Sequence, residues 1–277
     1  MNNIAIIATI TLREAARRKI LWTALLAGAL LLATFGIALH LQVVEFQSRP
    51  MSPFVRYQVE SGMLMIGLYM CDLLAVVLTI LTSIDTISGE ISSGTIQAIA
   101  TKPISRSELL IGKFAGFVAM IIVYVAVTFY ATVAVAYSVT GVAPENPIHG
   151  MLLIMFECVV ALSLTFMFGT WFSTLTNGVI VLGLQAVAFM GGWLEQVSGF
   201  SQSGHIVTLG IVSSLIMPGE SLWRRAAYEM QTPLAGSLSF SPFANVSIPS
   251  SAAVVYAAVY FCLILCVAIH HFRERDL

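Results

Sequence analysis

Charge is what this sequence has least of. Only 10% of its 277 positions are Asp, Glu, Lys or Arg, against roughly 25% in a soluble domain. Hydrophobic residues fill 58%, where soluble chains hold about 45–50%, so a soluble fold is excluded. No excess of one sign stands out, since the formal net charge is -1. A phosphate backbone needs a basic surface, so nucleic acid is not expected as a partner. Cysteine is sparse, and Cys71, Cys158, Cys262 and Cys266 all fall within apolar segments. They read as small buried or lipid-facing side chains and not as a disulfide framework. Three signatures are missing: the G-x-x-x-x-G-K-[ST] phosphate loop, the H-E-x-x-H zinc helix and the G-x-S-x-G nucleophile elbow. Without the first, this polypeptide cannot cradle ATP by that device, and the other two leave no indicated hydrolytic centre.

What the chain does have is apolar runs of membrane-crossing length. A hydrocarbon core of about 30 Å needs about 20 helical residues. Six runs meet this measure, at 20–39, 63–84, 114–137, 151–174, 178–194 and 252–269. The expected fold class is all-α: a polytopic membrane protein with six transmembrane helices, forming a single domain over 1–277. The fifth run is the shortest and is interrupted by Gly183, Gly191 and Gly192. An even number of spans puts both termini on one side. With that side cytoplasmic, Arg13, Arg17, Arg18, Lys19, Lys102, Arg106, Lys113, Arg273 and Arg275 lie inside. Only Arg49, Arg56, Arg224 and Arg225 lie outside, the asymmetry that sets orientation in membranes.

The flanking segments carry their own signals. Residues 1–19 put Ile4, Ile7, Ala8, Leu12 and Ala15 on one helical face and Thr9, Arg13 and Arg17 on another, with Glu14 and Arg18 paired at i,i+4. This predicts an amphipathic helix along the inner interface, where anionic headgroups and a protein partner explain its cationic end equally well. Its charges follow its short apolar run, so it is not expected to be a cleavable signal peptide. The outer loop 195–251 contains an apolar stretch at 205–216 too short to span. Pro218, Gly219 and Glu220 interrupt it, and an amphipathic stretch at 221–230 with Trp223, Arg224 and Arg225 follows. One or two helices dipping into or lying on the outer leaflet are expected; an ordinary loop helix packed on the bundle is the alternative.

The inner loop 85–113 reads DTISGEISSGTIQAIATKPISRSELLIGK and has the turn and capping chemistry of a structured element. Thr95 to Ala100 predicts a short apolar helix after a Ser-Ser-Gly turn. Pro103 stops it, and Ser105 or Ser107 caps the next helix, whose first turn holds Glu108. Glu90, Gly94, Thr95, Pro103, Ser105, Arg106, Glu108 and Lys113 follow one another in an order and spacing that resembles the ABC-2 type permeases, the membrane subunits of type V ABC transporters. The resemblance extends over essentially the whole chain and includes the permease of the nitrous-oxide reductase maturation system. It implies that 85–113 is a coupling loop seated in a groove of a separate ABC ATPase, present in two copies, with ATP and Mg bound there and no cofactor on this chain. It also implies a second permease copy, as a homodimer or a related chain, and a bacterial or archaeal plasma membrane. Glu90, Gly94, Thr95, Ile96, Ile99, Pro103, Arg106 and Lys113, with Arg13 and Arg17 of the N-terminal helix, are the expected coupling residues. The implied function is export, or mechanical work on an outer partner.

Two carboxylates fall within the runs, Asp72 in the second and Glu157 in the fourth. An ionised carboxylate at depth costs about 2.5–3.5 kcal/mol on insertion scales, so each should face the bundle interior, water or a partner. A pathway-lining role competes with plain helix packing through Ser and Thr. Cys71, Cys158, Met63, Met65, Met70, Met151 and Met155 lie at a similar level, a soft set that suits Cu(I) but serves equally as apolar filler. An intramembrane enzyme would need paired acids. Asp72 and Asp85 are too far apart on one helix, roughly 20 Å, to share a proton. A non-transporting membrane anchor is the remaining alternative, and it would be indifferent to changes at Asp72.

Overall fold

The computed structural model describes residues 3–17, 19–48, 52–92, 105–201, 204–231 and 249–274. Among the described residues all regular structure is helical: α1 (Asn3–Arg17), α2 (Lys19–Ser48), α3 (Pro53–Ser92), α4 (Arg106–Thr140), α5 (Pro147–Trp171), α6 (Thr174–Ser201), α7 (Gly204–Ile216), α8 (Gly219–Met230) and α9 (Ser251–Glu274). Six of them, α2 to α6 and α9, are long and apolar enough to cross a bilayer. Lipid offers the backbone no hydrogen-bond partner, so each crossing segment satisfies its own amides as a helix.

The helices overrun the apolar runs that announce them. α3 has 40 residues and α4 has 35, so both project beyond a core that about 20 residues cross. α3 opens on Pro53, whose missing amide hydrogen is harmless in a first turn. α4 closes on Gly141, held at φ 75, a left-handed conformation that glycine adopts without strain. Two expected boundaries move. The turn between the fourth and fifth spans shrinks to Phe172 and Ser173, and the glycines of the fifth span do not break α6. A Cβ at Gly191 would instead collide with Ser213 of α7, and one at Gly192 with Glu220 of α8. These glycines mark close approach between helices.

α3 and α5 form the centre of the bundle. In each, 67% of the apolar stretch is buried, against 6% in α2 and 11% in α9 at the periphery. Leu64, Leu68, Ile80, Phe117, Phe129, Leu162 and Phe166 fill the core, with Phe114 edge-on to Phe166 at 5.4 Å.

α1 packs along the first turns of α4. A Cβ on Gly112 would stand 2.7 Å from Ile7 Cβ and 3.1 Å from the Ile4 carbonyl, and one on Gly116 would stand 2.7 Å from the Ala8 carbonyl. The Gly-x-x-x-Gly spacing on α4 thus brings the two backbones together. The apolar face predicted for α1 is the face that packs: Ala15 is buried, and Ile7 and Leu12 rest on the core.

α7 and α8 form a hairpin too short to span, with 13 and 12 residues. At the C-terminal end of α8, the Glu145 amide donates to the Met230 carbonyl at 3.1 Å, and Asn146 Nδ2 donates to the Glu229 carbonyl at 3.2 Å. At its other end Gly219 lies against Glu157, about 10 Å deeper along α5 than Gly150, which touches Met230. The hairpin therefore enters from one end of the bundle and turns back at Met217 and Pro218. There the carbonyls of Leu215 and Ile216, left without helical partners, accept from the Tyr256 and Tyr260 hydroxyls of α9 at 2.5 and 2.8 Å. α8 is not a helix lying on the leaflet surface, because Trp223 and Arg224 are buried. Its position also shortens the expected interruption, since Gly219 and Glu220 are its first residues.

Candidate functional site

The helix extensions at the α1 end meet in a braced stalk. α3 continues to Ser92 and α4 begins at Arg106, so they flank the segment that carries Gly94, Thr95, Ile96, Ile99 and Pro103. Those five residues, with the short helix expected at 95–100, lie outside the described residues. Both flanks are firm. Ser105, and not Ser107, caps α4: its Oγ accepts the Glu108 amide at 3.2 Å, while the Glu108 carboxylate accepts the Ser105 amide at 2.9 Å. This reciprocal box satisfies two donors that a helix start leaves open. One turn further on, Lys113 Nζ donates to Glu90 Oε1 and ties α4 to α3. The ammonium is largely shielded, with the Lys113 side chain 8% exposed.

α1 closes over this ion pair. A narrow cleft between the three helices is lined by Thr11, Glu14 and Ala15 of α1, Thr86 and Glu90 of α3, and Lys113 and Phe117 of α4. Arg13 and Arg17 are exposed on α1. Arg106 reaches across instead, donating from Nη1 to the Arg273 carbonyl at 3.4 Å, in the last turn of α9. A cation there meets the negative end of the helix dipole. The α5–α6 turn is latched to α3 nearby. Thr174 Oγ1 donates to Asp85 Oδ1 at 3.1 Å, and Asn177 Nδ2 donates to the Ile84 and Thr165 carbonyls at 3.2 and 3.0 Å. Asp85 is thereby committed to the stalk, far from Asp72.

Toward the opposite end, the structure brings Asp72 of α3 and Glu157 of α5 into one buried polar cluster. It adds members that the sequence reading missed: Tyr69, Gln185, and Glu220 and Arg224 of the hairpin. Asp72, Glu157, Glu220 and Arg224 are 4%, 1%, 6% and 2% exposed. Gln185 Nε2 donates to Glu157 Oε1 at 3.2 Å, and the Tyr69 hydroxyl donates to Glu220 Oε2 at 3.2 Å. Tyr69 also packs at a tilt against Trp223, with ring centroids 4.9 Å apart. Asp72 lies within Coulombic range of both Glu157 and Glu220. On the non-spanning helix α8, burial pushes the Glu220 carboxyl up to about 7, against the opposing pull of Arg224 and of the Tyr69 hydroxyl. The cluster thus buries three carboxylates and one guanidinium together, an arrangement that can hold positive charge.

Of the cysteines, two are buried near Asp72 and two lie on α9. Cys71 Sγ lies 2.9 Å from Thr132 Oγ1, Cys158 is buried, and Cys262 and Cys266 are exposed on α9. Among the described residues no three or more His, Cys, Asp or Glu side chains converge in a way that could hold a metal ion.

A family model described as ABC-2 family transporter protein matches residues 5–277. A comparison with curated proteins returns no match. Permeases of that family are multi-pass, generally non-catalytic, and pair with a separate ATPase subunit. With six membrane-crossing helices and a family match over almost its full length, this chain belongs to the ABC-2 family of transporter proteins, as a membrane permease subunit.

Proposed function

We propose that this permease converts ATP-driven closure of two copies of a separate ATPase into export of a substrate, or into mechanical work on an outer partner, and that the 85–113 loop, with Glu90, Arg106 and Lys113 at its described flanks, is the coupling element. The observation that carries the reading is the stalk. Two helices that continue past the hydrocarbon core, a capping box at Ser105 and the Lys113–Glu90 pair bracket the segment. A lever joined to spans by continuous helix transmits motion; a slack connector dissipates it. Ile96 and Ile99 supply the apolar contact to the ATPase groove, while Gly94, Thr95 and Pro103 shape the element. Arg13 and Arg17, exposed on α1, offer the partner a cationic edge.

The same reading orients the chain. The α1 end carries most of the lysines and arginines, so it faces the cytoplasm of a bacterium or archaeon, with both termini there. The outer end then presents the α7–α8 hairpin. Two permease copies, identical or related, enclose the pathway, and Asp72 and Glu157 lie toward its outer half. The test is to co-express the cognate ATPase with Ile96→Asp and Ile99→Asp variants. Loss of co-purification or of ATPase stimulation is expected. Full stimulation in both variants would overturn the coupling role.

A further inference from the structure

The polar cluster around the hairpin tip holds more negative charge than its one arginine can balance. Asp72, Glu157 and Glu220 come from three different helices, and each is more than nine-tenths buried. An unpaired ionised carboxylate in such surroundings is expensive, and a buried acceptor without a donor is costly even when neutral. Three acceptor oxygens here receive no hydrogen bond from the protein: Asp72 Oδ1, Glu157 Oε2 and Gln185 Oε1. The last belongs to an amide that is itself 9% exposed and that already spends its Nε2 on Glu157. The buried Arg224 Nε and Nη1 donate to none of the three, so these acceptors stand without a donor placed on them.

What can fill that role is limited by space. A single methyl placed on Gly219 would stand 2.8 Å from Glu157 Oε1 and 3.3 Å from Gln185 Oε1. The hairpin tip thus closes directly over Glu157 Oε1 and Gln185 Oε1. A hydrogen bonded to a carboxyl oxygen takes no additional room, removes one negative charge, and turns an acceptor into the donor that the neighbouring oxygens lack.

We infer that the Asp72–Glu157–Glu220 cluster is a proton-binding site, and that its loaded state pins the tip of the α7–α8 hairpin to α5 and α6. On loading, one proton from water forms an O–H bond on a carboxylate, giving the neutral acid. On unloading, that bond breaks and the proton returns to water, with no other bond changed. The titratable and charged groups that face the site are few. α3 gives Tyr69 and Cys71, α5 gives Cys158, and α8 gives Arg224 beside Glu220; α6 contributes the neutral Gln185, and Tyr124 of α4 reaches only the two cysteines. With the acid neutral, Glu157 and Gln185 share hydrogen bonds against Gly219. With every carboxyl ionised, repulsion between Glu157 on α5 and Glu220 on α8 drives the hairpin outward. The inference does not depend on the ATPase reading and survives its failure.

The test uses the full chain in lipid nanodiscs. Infrared difference spectra are recorded across pH 5 to 9, about the range to which buried carboxyls are shifted. In parallel, hydrogen exchange is followed in the 209–222 peptide, corrected for intrinsic rates. A carboxylic-acid carbonyl band that titrates in the wild type and shrinks in Asp72→Asn and in Glu157→Gln is expected. Exchange at the tip should rise several-fold as the band disappears, and should stay slow at all pH in Glu157→Gln, which mimics the neutral acid. A wild-type spectrum without a titrating acid band in this range overturns the site, whatever the variants do. A Glu157→Gln hairpin that still loosens with pH as the wild type does overturns the pinning.

Discussion

Gly116 offers the sharpest test of how α1 is held. Replacing it with alanine places a methyl 2.7 Å from the Ala8 carbonyl and 2.8 Å from Thr11 Cβ, so the α1 backbone must retreat by nearly 1 Å to reach ordinary contact. Overpacking of this kind costs typically about 1–3 kcal/mol. Against it stands the better helix propensity of alanine, worth about 1 kcal/mol. Gly183→Ala isolates that second term, because nothing lies within 4 Å of its Cβ position. The prediction is therefore a difference. Gly183→Ala should stabilise the protein slightly, and Gly116→Ala should fall below it by about 1–3 kcal/mol. Thermal unfolding in detergent reads the difference, and hydrogen exchange across residues 3–17 should quicken only in Gly116→Ala. Equal stability for the two variants, with unchanged exchange in α1, would refute the docking of α1 through the glycine seam.

Two further outcomes follow from the stalk. Lys113→Met leaves the Glu90 carboxylate half-enclosed without its ammonium and should cost up to about 3 kcal/mol, whereas adding Glu90→Gln should recover most of that loss; chemical or thermal unfolding distinguishes the single from the double variant. Ser105→Ala removes the cap of α4 and should cost about 1 kcal/mol, seen as roughly fivefold faster amide exchange confined to the first turn after Ser105.

Much of the architecture could be read from the chain because lipid leaves few options. Apolar runs found the six crossings, but not where the helices stop. Hydropathy reports only the part surrounded by hydrocarbon, while Pro53, Ser105 and Gly141 set ends that lie beyond it. Residues 205–216 and 221–230 were recognisable as helices; what could not be read was their depth. That depends on the contact between Gly219 and Glu157, residues far apart in sequence, which hydropathy does not report. For the same reason Asp72 and Glu157 were identifiable as charges in apolar runs, while Glu220 looked like part of a loop interruption and Arg224 like the polar face of a surface helix. One available signal went unused. The Gly112 to Gly116 spacing, beside an amphipathic segment in need of a partner, indicated that α1 would rest on protein.

Helix α9 touches both ends of this system. Its terminal turn accepts the Arg106 guanidinium at the root of α4, and its tyrosines grip the freed carbonyls at the hairpin tip, roughly 25 Å away along one unbroken rod. Its inner flank is keyed into the bundle, with Phe261 against Phe114 and Phe156 and with Phe272 fully buried. A shift of this rod therefore has to carry the helices it rests on along with it.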